Sequence, residues 1–262
     1  MENFEILDQP EILSFLFYPR RDDINIPDDE SMMSLAFPVE PGISISCMFY
    51  ISSKDDPNVL FFHGNGELAS EYMDIGATFN RIGINLFVAD YRGYGGSGGQ
   101  PSISNMIKDT GPIYAGFKQT LSERGFHGNR FIMGRSLGSL SAIELAGSYG
   151  DEFKGLIIES GFCDITDLIR QIGIPIDPQN STGDKGCSCG LDRVRQISIP
   201  ALIIHGENDS IVPREEGEKI YVNIGSKDKK MVVIPDADHN TIFFVGMGQY
   251  LHELQDFINT NK

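Results

Sequence analysis

A serine hydroxyl is a poor nucleophile near neutral pH and needs a base, itself oriented by an acid. One serine of this chain sits where such help would matter: Gly134-Arg135-Ser136-Leu137-Gly138 has the Gly-x-Ser-x-Gly form. An apolar run, Phe131-Ile132-Met133, leads into it, and Ser141-Ala142-Ile143-Glu144-Leu145-Ala146, good helix material, follows. Strand, tight turn and helix are the context in which this pentapeptide makes a nucleophile elbow. The chain must reverse within a few residues, with the serine held in strained φ/ψ. Side chains at the two flanking positions would collide with the neighbouring strand and helix, so both are glycine. The turn also aims a helix N-terminus and the Leu137 amide at a developing oxyanion. Alone, the pentapeptide fits a Gly-rich loop with a solvated serine equally well, so the rest of the chain decides.

Five histidines compete for the role of base. His127 lies in a Gly-rich turn and reads as solvated. His252 falls inside the last predicted helix, in a structural or surface role. His205 ends a strand, packed behind a glycine, and His63 braces the Gly64-Asn65 turn. His239 remains, in the polar loop Pro235-Asp236-Ala237-Asp238-His239-Asn240 between the last strand and the last helix. In a doubly wound sheet that loop opens on the same rim as Ser136, which makes His239 the expected general base; the alternative is a neighbour of a helix N-cap.

For the acid, Asp209 follows His205-Gly206-Glu207-Asn208 and precedes Ser210-Ile211-Val212-Pro213 on another post-strand loop. Ser136, Asp209, His239 is the chain order of elbow-bearing hydrolases. Asp164 is the second choice. Asp236 and Asp238 are too close along the chain to fold back on His239, and Glu207 reads as a solvated or loop-bracing carboxylate. An oxyanion needs two donors: the Leu137 amide and, from the turn His63-Gly64-Asn65-Gly66, the amide of Asn65. The alternative for that turn is a tight strand-to-helix connection and nothing more.

These loops need elements to hold them. Residues 31–39 and 42–52 read as an antiparallel hairpin at a sheet edge, turned at Glu40-Pro41-Gly42. Val59-Leu60-Phe61-Phe62 is an unbroken apolar run, as expected of a parallel strand buried on both faces. Similar runs follow at 84–89, 129–133, 156–160, 201–206 and 230–235. Helices are expected over 70–82, 102–124, 215–223 and 242–259, with Gly111-Pro112 kinking the second or marking its true start. Repeated strand-then-helix with apolar strands means an α/β fold: a mostly parallel central sheet with helices on both faces. No linker or repeat interrupts it, so a single domain over 1–262 is expected. Only 166–198 breaks the rhythm, rich in Gly, Pro and polar residues, and is expected to be a short cap over the site rather than a surface loop.

The motifs resemble those of the α/β-hydrolases, in the branch of monoacylglycerol lipases and serine-aminopeptidase-like hydrolases. The likeness covers about 35–260 and rests on His63-Gly64-Asn65-Gly66-Glu67, Asp90-Tyr91-Arg92-Gly93-Tyr94-Gly95-Gly96-Ser97, Gly134 to Gly138, His205-Gly206-Glu207-Asn208-Asp209 with Val212-Pro213, and Asp238-His239. It implies Ser136 as nucleophile, Asp209 and His239 as its partners, and the Asn65 and Leu137 amides as oxyanion hole; the 90–97 segment shapes the adjoining loop. The 166–198 insertion is shorter and more polar than a lipase's helical cap, which speaks against long lipid chains.

The expected activity is hydrolysis of a small to medium carboxylic ester, with Phe162, Ile242, Phe243 and Phe244 as acyl-pocket candidates. An aminopeptidase or amidase is the second reading and would need an acid such as Asp164, Asp167 or Asp177 to hold a substrate ammonium. A non-catalytic binding protein of the same fold is the third. The net charge of −16 argues against nucleic acid and anionic membranes as partners. The run 12–18 is too short to span a bilayer, and no signal peptide is read at the N-terminus. Cys47, Cys163, Cys187 and Cys189 make no disulfide framework, and Cys187-Ser188-Cys189 lacks the second half of a zinc site. No cofactor or metal is expected, and the cytoplasm is the expected compartment.

Overall fold

Alternation within the apolar runs decides where the core lies. The computed structural model describes residues 7–22, 29–166, 168 and 189–262. In it β3 (Asn58–Phe62), β4 (Asn85–Ala89), β5 (Arg130–Arg135), β6 (Leu156–Glu159), β7 (Ala201–Gly206) and β8 (Lys229–Ile234) run parallel, while β1 (Met32–Glu40) and β2 (Ile43–Tyr50) are antiparallel at one edge. The eight-stranded order is β1-β2-β4-β3-β5-β6-β7-β8. Successive side chains of a strand point to opposite faces. Leu60, Phe62, Ile132, Ile158 and Ile203 therefore pack on one side, and Val59, Phe61, Met133, Leu202 and Ile204 on the other.

Helices cover both faces. On the first lie α1 (Pro10–Leu16), α3 (Ile103–Arg124), α4 (Ser139–Tyr149), α5 (Cys189–Gln196) and α6 (Arg214–Asn223); on the second lie α2 (Met73–Arg81), α7 (Ile242–Val245) and α8 (Met247–Thr260). Each fully buried Leu, Ile or Phe contributes roughly 1.5–3 kcal/mol, so both layers hold the sheet firmly. Contact is close where glycines allow it: a Cβ on Gly116 would lie 2.4 Å from the Phe37 ring, and one on Gly76 2.4 Å from the Tyr50 ring.

Two helix expectations need correction. Helix α3 does not start at Gly111-Pro112: it begins at Ile103, capped by the Ser102 hydroxyl, and runs through Pro112 to Gly125, whose φ of 71° ends it. Its two buried flanks hold the helix together although Pro112 offers no N–H to the Lys108 carbonyl. The final helix is instead two, α7 and α8, parted at Gly246. The chain bends there against β8, and a Cβ on Gly246 would sit 2.1 Å from Ile234 Cγ2.

Most of the expected cap, together with Asp167, Asp177 and Cys187, lies outside the described residues; near its end Cys189–Gln196 forms α5. Cys47 and Cys163 are buried free thiols. Among the described residues no helix is long and apolar enough to cross a membrane, and no cluster of three or more His, Cys, Asp or Glu side chains is arranged to hold a metal.

Candidate active site

The parallel strands end on one rim, and the loops that leave it carry the polar residues. Strand β5 delivers Ser136 at φ 50°, a left-handed conformation rare for a residue with a Cβ. Holding it there costs of order 1–3 kcal/mol, sustained by the packing around it. The flanking glycines are required by contact. A Cβ on Gly134 would meet the Gly138 carbonyl at 2.5 Å and Ala142 Cβ at 2.8 Å, and one on Gly138 would lie 2.1 Å from the Phe62 carbonyl oxygen. Gly138 thereby lets the elbow touch the end of β3, where the His63–Gly66 turn begins. Ser139 fastens the other side: its hydroxyl donates to the Ser136 carbonyl (2.6 Å) and accepts from the Phe162 amide (3.1 Å).

The structure brings Ser136, His239 and Asp209 together. His239 Nε2 lies 3.0 Å from Ser136 Oγ, and its Nδ1 lies 2.7 Å from Asp209 Oδ2. All three are buried. Asp209 Oδ1 accepts from the amides of Ile211 (3.1 Å) and Val212 (2.9 Å), which fixes the carboxylate plane. Burial pushes this carboxyl up, but hydrogen bonds from His205 and His239, with the His239 charge and the Val212 amide, hold it well below the usual carboxylate range. An ionised Asp209 at Nδ1 leaves the Nε2 lone pair facing the serine, the tautomer a general base requires.

The remaining candidates fall elsewhere. Asp164 is buried and its Oδ1 accepts from the Thr166 amide. Asp238 closes a turn, accepting from Asn240 N and Thr241 N at 2.9 Å each. Glu207 accepts from the Asp236 amide (3.1 Å), bracing the base loop. His127 and His252 are exposed. His63 is sealed between the Gly64 carbonyl (2.7 Å) and Asp90 (3.1 Å), at the root of the turn carrying Asn65. The Asn65 side chain accepts from Tyr18 N and Tyr94 hydroxyl, both at 2.8 Å, so the turn is pinned from outside. The 90–97 segment is anchored by Arg92, which grips Asp109 through two nitrogens at 2.7 and 2.8 Å.

The four acyl-pocket candidates do not share one wall. Phe162 is buried in the first face, with its backbone tied to Ser139. Ile242 and Phe243 belong to the second face and line a cavity of about 150 Å³ beside Arg135, Tyr72 and Tyr250. Phe244 is exposed.

Two residues at the site escape a reading by motif. His205 is wholly buried; its Nε2 donates to the Val212 carbonyl (2.9 Å) and lies 3.4 Å from Asp209 Oδ2. Its glycine neighbour in space is Gly217, where a Cβ would come within 2.5 Å of His205 Nδ1. Arg135, the variable residue of the elbow, donates through NH2 to the His239 carbonyl at 2.9 Å. The Val212-Pro213 turn after Asp209 hints at the first; no local signal marks the second.

Comparison with known proteins agrees with this architecture. A family profile described as "Serine aminopeptidase, S33" matches residues 53–177 and 186–243, segments that include Asn65, Ser136, Asp209 and His239. The uncharacterized protein YfhR of Escherichia coli K12 is 27% identical over 255 residues, spanning 94% of this chain and 87% of its own. Alpha/beta hydrolase domain-containing protein 17B of Homo sapiens is 29% identical over 223 residues, spanning 83% and 72%. Among solved structures, Est1E of Butyrivibrio proteoclasticus with ferulic acid bound superposes with a TM-score of 0.72 at 22% identity, over 87% of this chain and 98% of that one. The monoacylglycerol lipase of Paleococcus ferrophilus gives 0.63 at 17%, over 83% and 99%. At such identities the solved structures speak to the fold.

Proposed function

The chain belongs to the serine aminopeptidase S33 family of α/β-hydrolases, and from that premise we propose that it cleaves small to medium carboxylic esters through an acyl-enzyme on Ser136. The observation that carries the reading is the unbroken hydrogen-bonded line from Ser136 Oγ through His239 to Asp209, 3.0 and 2.7 Å long. In the proposed reaction His239 Nε2 takes the serine proton as Oγ attacks the ester carbonyl. Asp209 steadies the resulting imidazolium. The oxygen that gains charge turns toward the amides of Leu137 and Asn65, in a region where two backbones meet and water is displaced. Collapse expels the alcohol, which takes the proton back from His239. Water, deprotonated by the same ring, then releases the acid and frees Ser136.

The reading includes a single hydrolase domain over 1–262, with 166–198 as a short cap above the site, acting in the cytoplasm on a small to medium ester. The family's description favours a second reading, cleavage of an aminoacyl amide. One experiment separates the two: labelling with a fluorophosphonate, followed by turnover of short p-nitrophenyl esters against aminoacyl p-nitroanilides. The ester reading expects a stoichiometric adduct on Ser136 and preferred ester turnover. Turnover of the anilides alone would favour the aminopeptidase, and no adduct in folded protein would remove Ser136 as nucleophile.

A further inference from the structure

The guanidinium of Arg135 is buried and spreads its nitrogens over three parts of the fold. Nε donates to Glu67 Oε1 at 2.8 Å, NH1 to Glu159 Oε1 at 2.7 Å, and NH2 to the backbone carbonyl of His239 at 2.9 Å. The partners are themselves held. The other oxygen of Glu67 accepts from the Gly64 amide (2.8 Å) and from the Tyr72 hydroxyl. The other oxygen of Glu159 accepts from the Tyr250 hydroxyl at 2.6 Å. Burial opposes the Arg135 charge, yet Glu159 and Glu67 hold its pKa above the ordinary value. It thus stays a cation, and its planar fork suits three divergent acceptors as an ammonium would not.

Through Glu67 and the Gly64 amide, this side chain reaches the turn that carries Asn65. Through the His239 carbonyl it reaches the loop that carries the base. Its own backbone adjoins Ser136. We propose that Arg135 is a positioning residue that keeps the oxyanion turn and the base loop in register with the serine, so that one side chain sets the spacing of all three loops. The inference rests on the ester-hydrolase reading of the site. It explains why a cation is buried at an elbow position where the turn itself requires no charge: three segments distant in sequence must agree to within a fraction of an ångström, and a displacement of about 1 Å can cost on the order of a hundredfold in rate.

The test compares Arg135→Gln, Arg135→Lys and the double variant Arg135→Gln/Glu159→Gln, which spares the fold one uncompensated buried carboxylate. For p-nitrophenyl acetate, kcat should fall about 10- to 100-fold with KM nearly unchanged. Arg135→Lys should recover only part of kcat, because an ammonium cannot reach three divergent acceptors as the guanidinium does. Amide hydrogen exchange over residues 64–67 and 236–240 should quicken together in the folded variants. A folded double variant with wild-type kcat overturns the proposal. So does quickened exchange in only one loop or in neither, an outcome readable even if the wild-type protein hydrolyses no ester. Absence of ester turnover or of a Ser136 adduct in the wild type would instead count against the ester-hydrolase reading.

Discussion

His63 and His239 stand on post-strand loops of the same rim, each against an aspartate, yet the second ring nitrogen gives them different work. In His63, Nε2 faces Asp90 at 3.1 Å and Nδ1 faces the Gly64 carbonyl at 2.7 Å. Both partners are acceptors, so the pair of contacts favours the imidazolium, in which both nitrogens donate. Burial opposes this charge, but the Asp90 hydrogen bond, with the charges of Asp90 and Glu67, holds the His63 pKa above its ordinary value. In His239 the far nitrogen meets a hydroxyl, which can give a proton. One pair is a closed strut beneath the His63–Gly66 turn; the other has an open end. A histidine–aspartate contact alone is therefore no sign of catalysis, and the partner of the other nitrogen is what separates the two.

Exchanging the carboxylates for amides should break the comparison most sharply. Asp209→Asn is expected to lower kcat on a p-nitrophenyl ester by about 10³- to 10⁴-fold in the folded variant, because the wrong tautomer then faces Ser136. Asp90→Asn should instead cost about 3–5 kcal/mol of stability by stranding a buried imidazolium, read from urea unfolding, while the folded fraction keeps most of its turnover. Equal effects of the two changes on kcat would erase the distinction.

Both folding and site were partly legible before any coordinates. The unbroken runs at β3, β4 and β7 reveal buried parallel strands because a strand covered on both faces has no polar side to show. The elbow is legible because two glycines are fixed by backbone contacts two to three ångströms away. Arg135 is not, because its partners lie 68, 24 and 104 residues distant and only the folded sheet brings them together. The break at Gly246 was hidden for the same reason: the clash that demands it comes from Ile234 on another element. Gly111-Pro112 does not mark the start of α3, which spans nearly the expected 102–124 with the proline inside it, a local rule overridden by packing along the helix.

A smaller effect sharpens the comparison through pH. Because the folded pKa of His63 is raised, its contribution to stability is complete below about pH 6.5 and is lost as pH rises through the folded value. Urea unfolding of the wild type across the neutral-to-alkaline range should show this loss, and Asp90→Asn should remove it. The reverse holds for Asp209, whose lowered pKa gives a contribution present above its unfolded value and lost only as pH falls through the folded one. An identical alkaline slope in wild type and Asp90→Asn would mean that His63 is neutral.

The smallest change is expected at His205, whose Nε2 lies nearer the Val212 carbonyl (2.9 Å) than Asp209 Oδ2 (3.4 Å), so the carboxylate receives the weaker share of its hydrogen bond. His205→Gln should reduce kcat by less than about tenfold. A loss as large as that of Asp209→Asn would make the 3.4 Å contact a working part of the relay.

The two margins of the sheet carry a last consequence. On the outer strand β1, Pro38 offers no amide to a newcomer, and the register slips between Pro38 and Glu40. At the far border, β8 opens with Lys229-Lys230, the second of them paired to Glu253. Each border is thus ill-suited to zippering onto a stranger's backbone, so a crowded solution of this protein has little means of stitching its sheets into fibres.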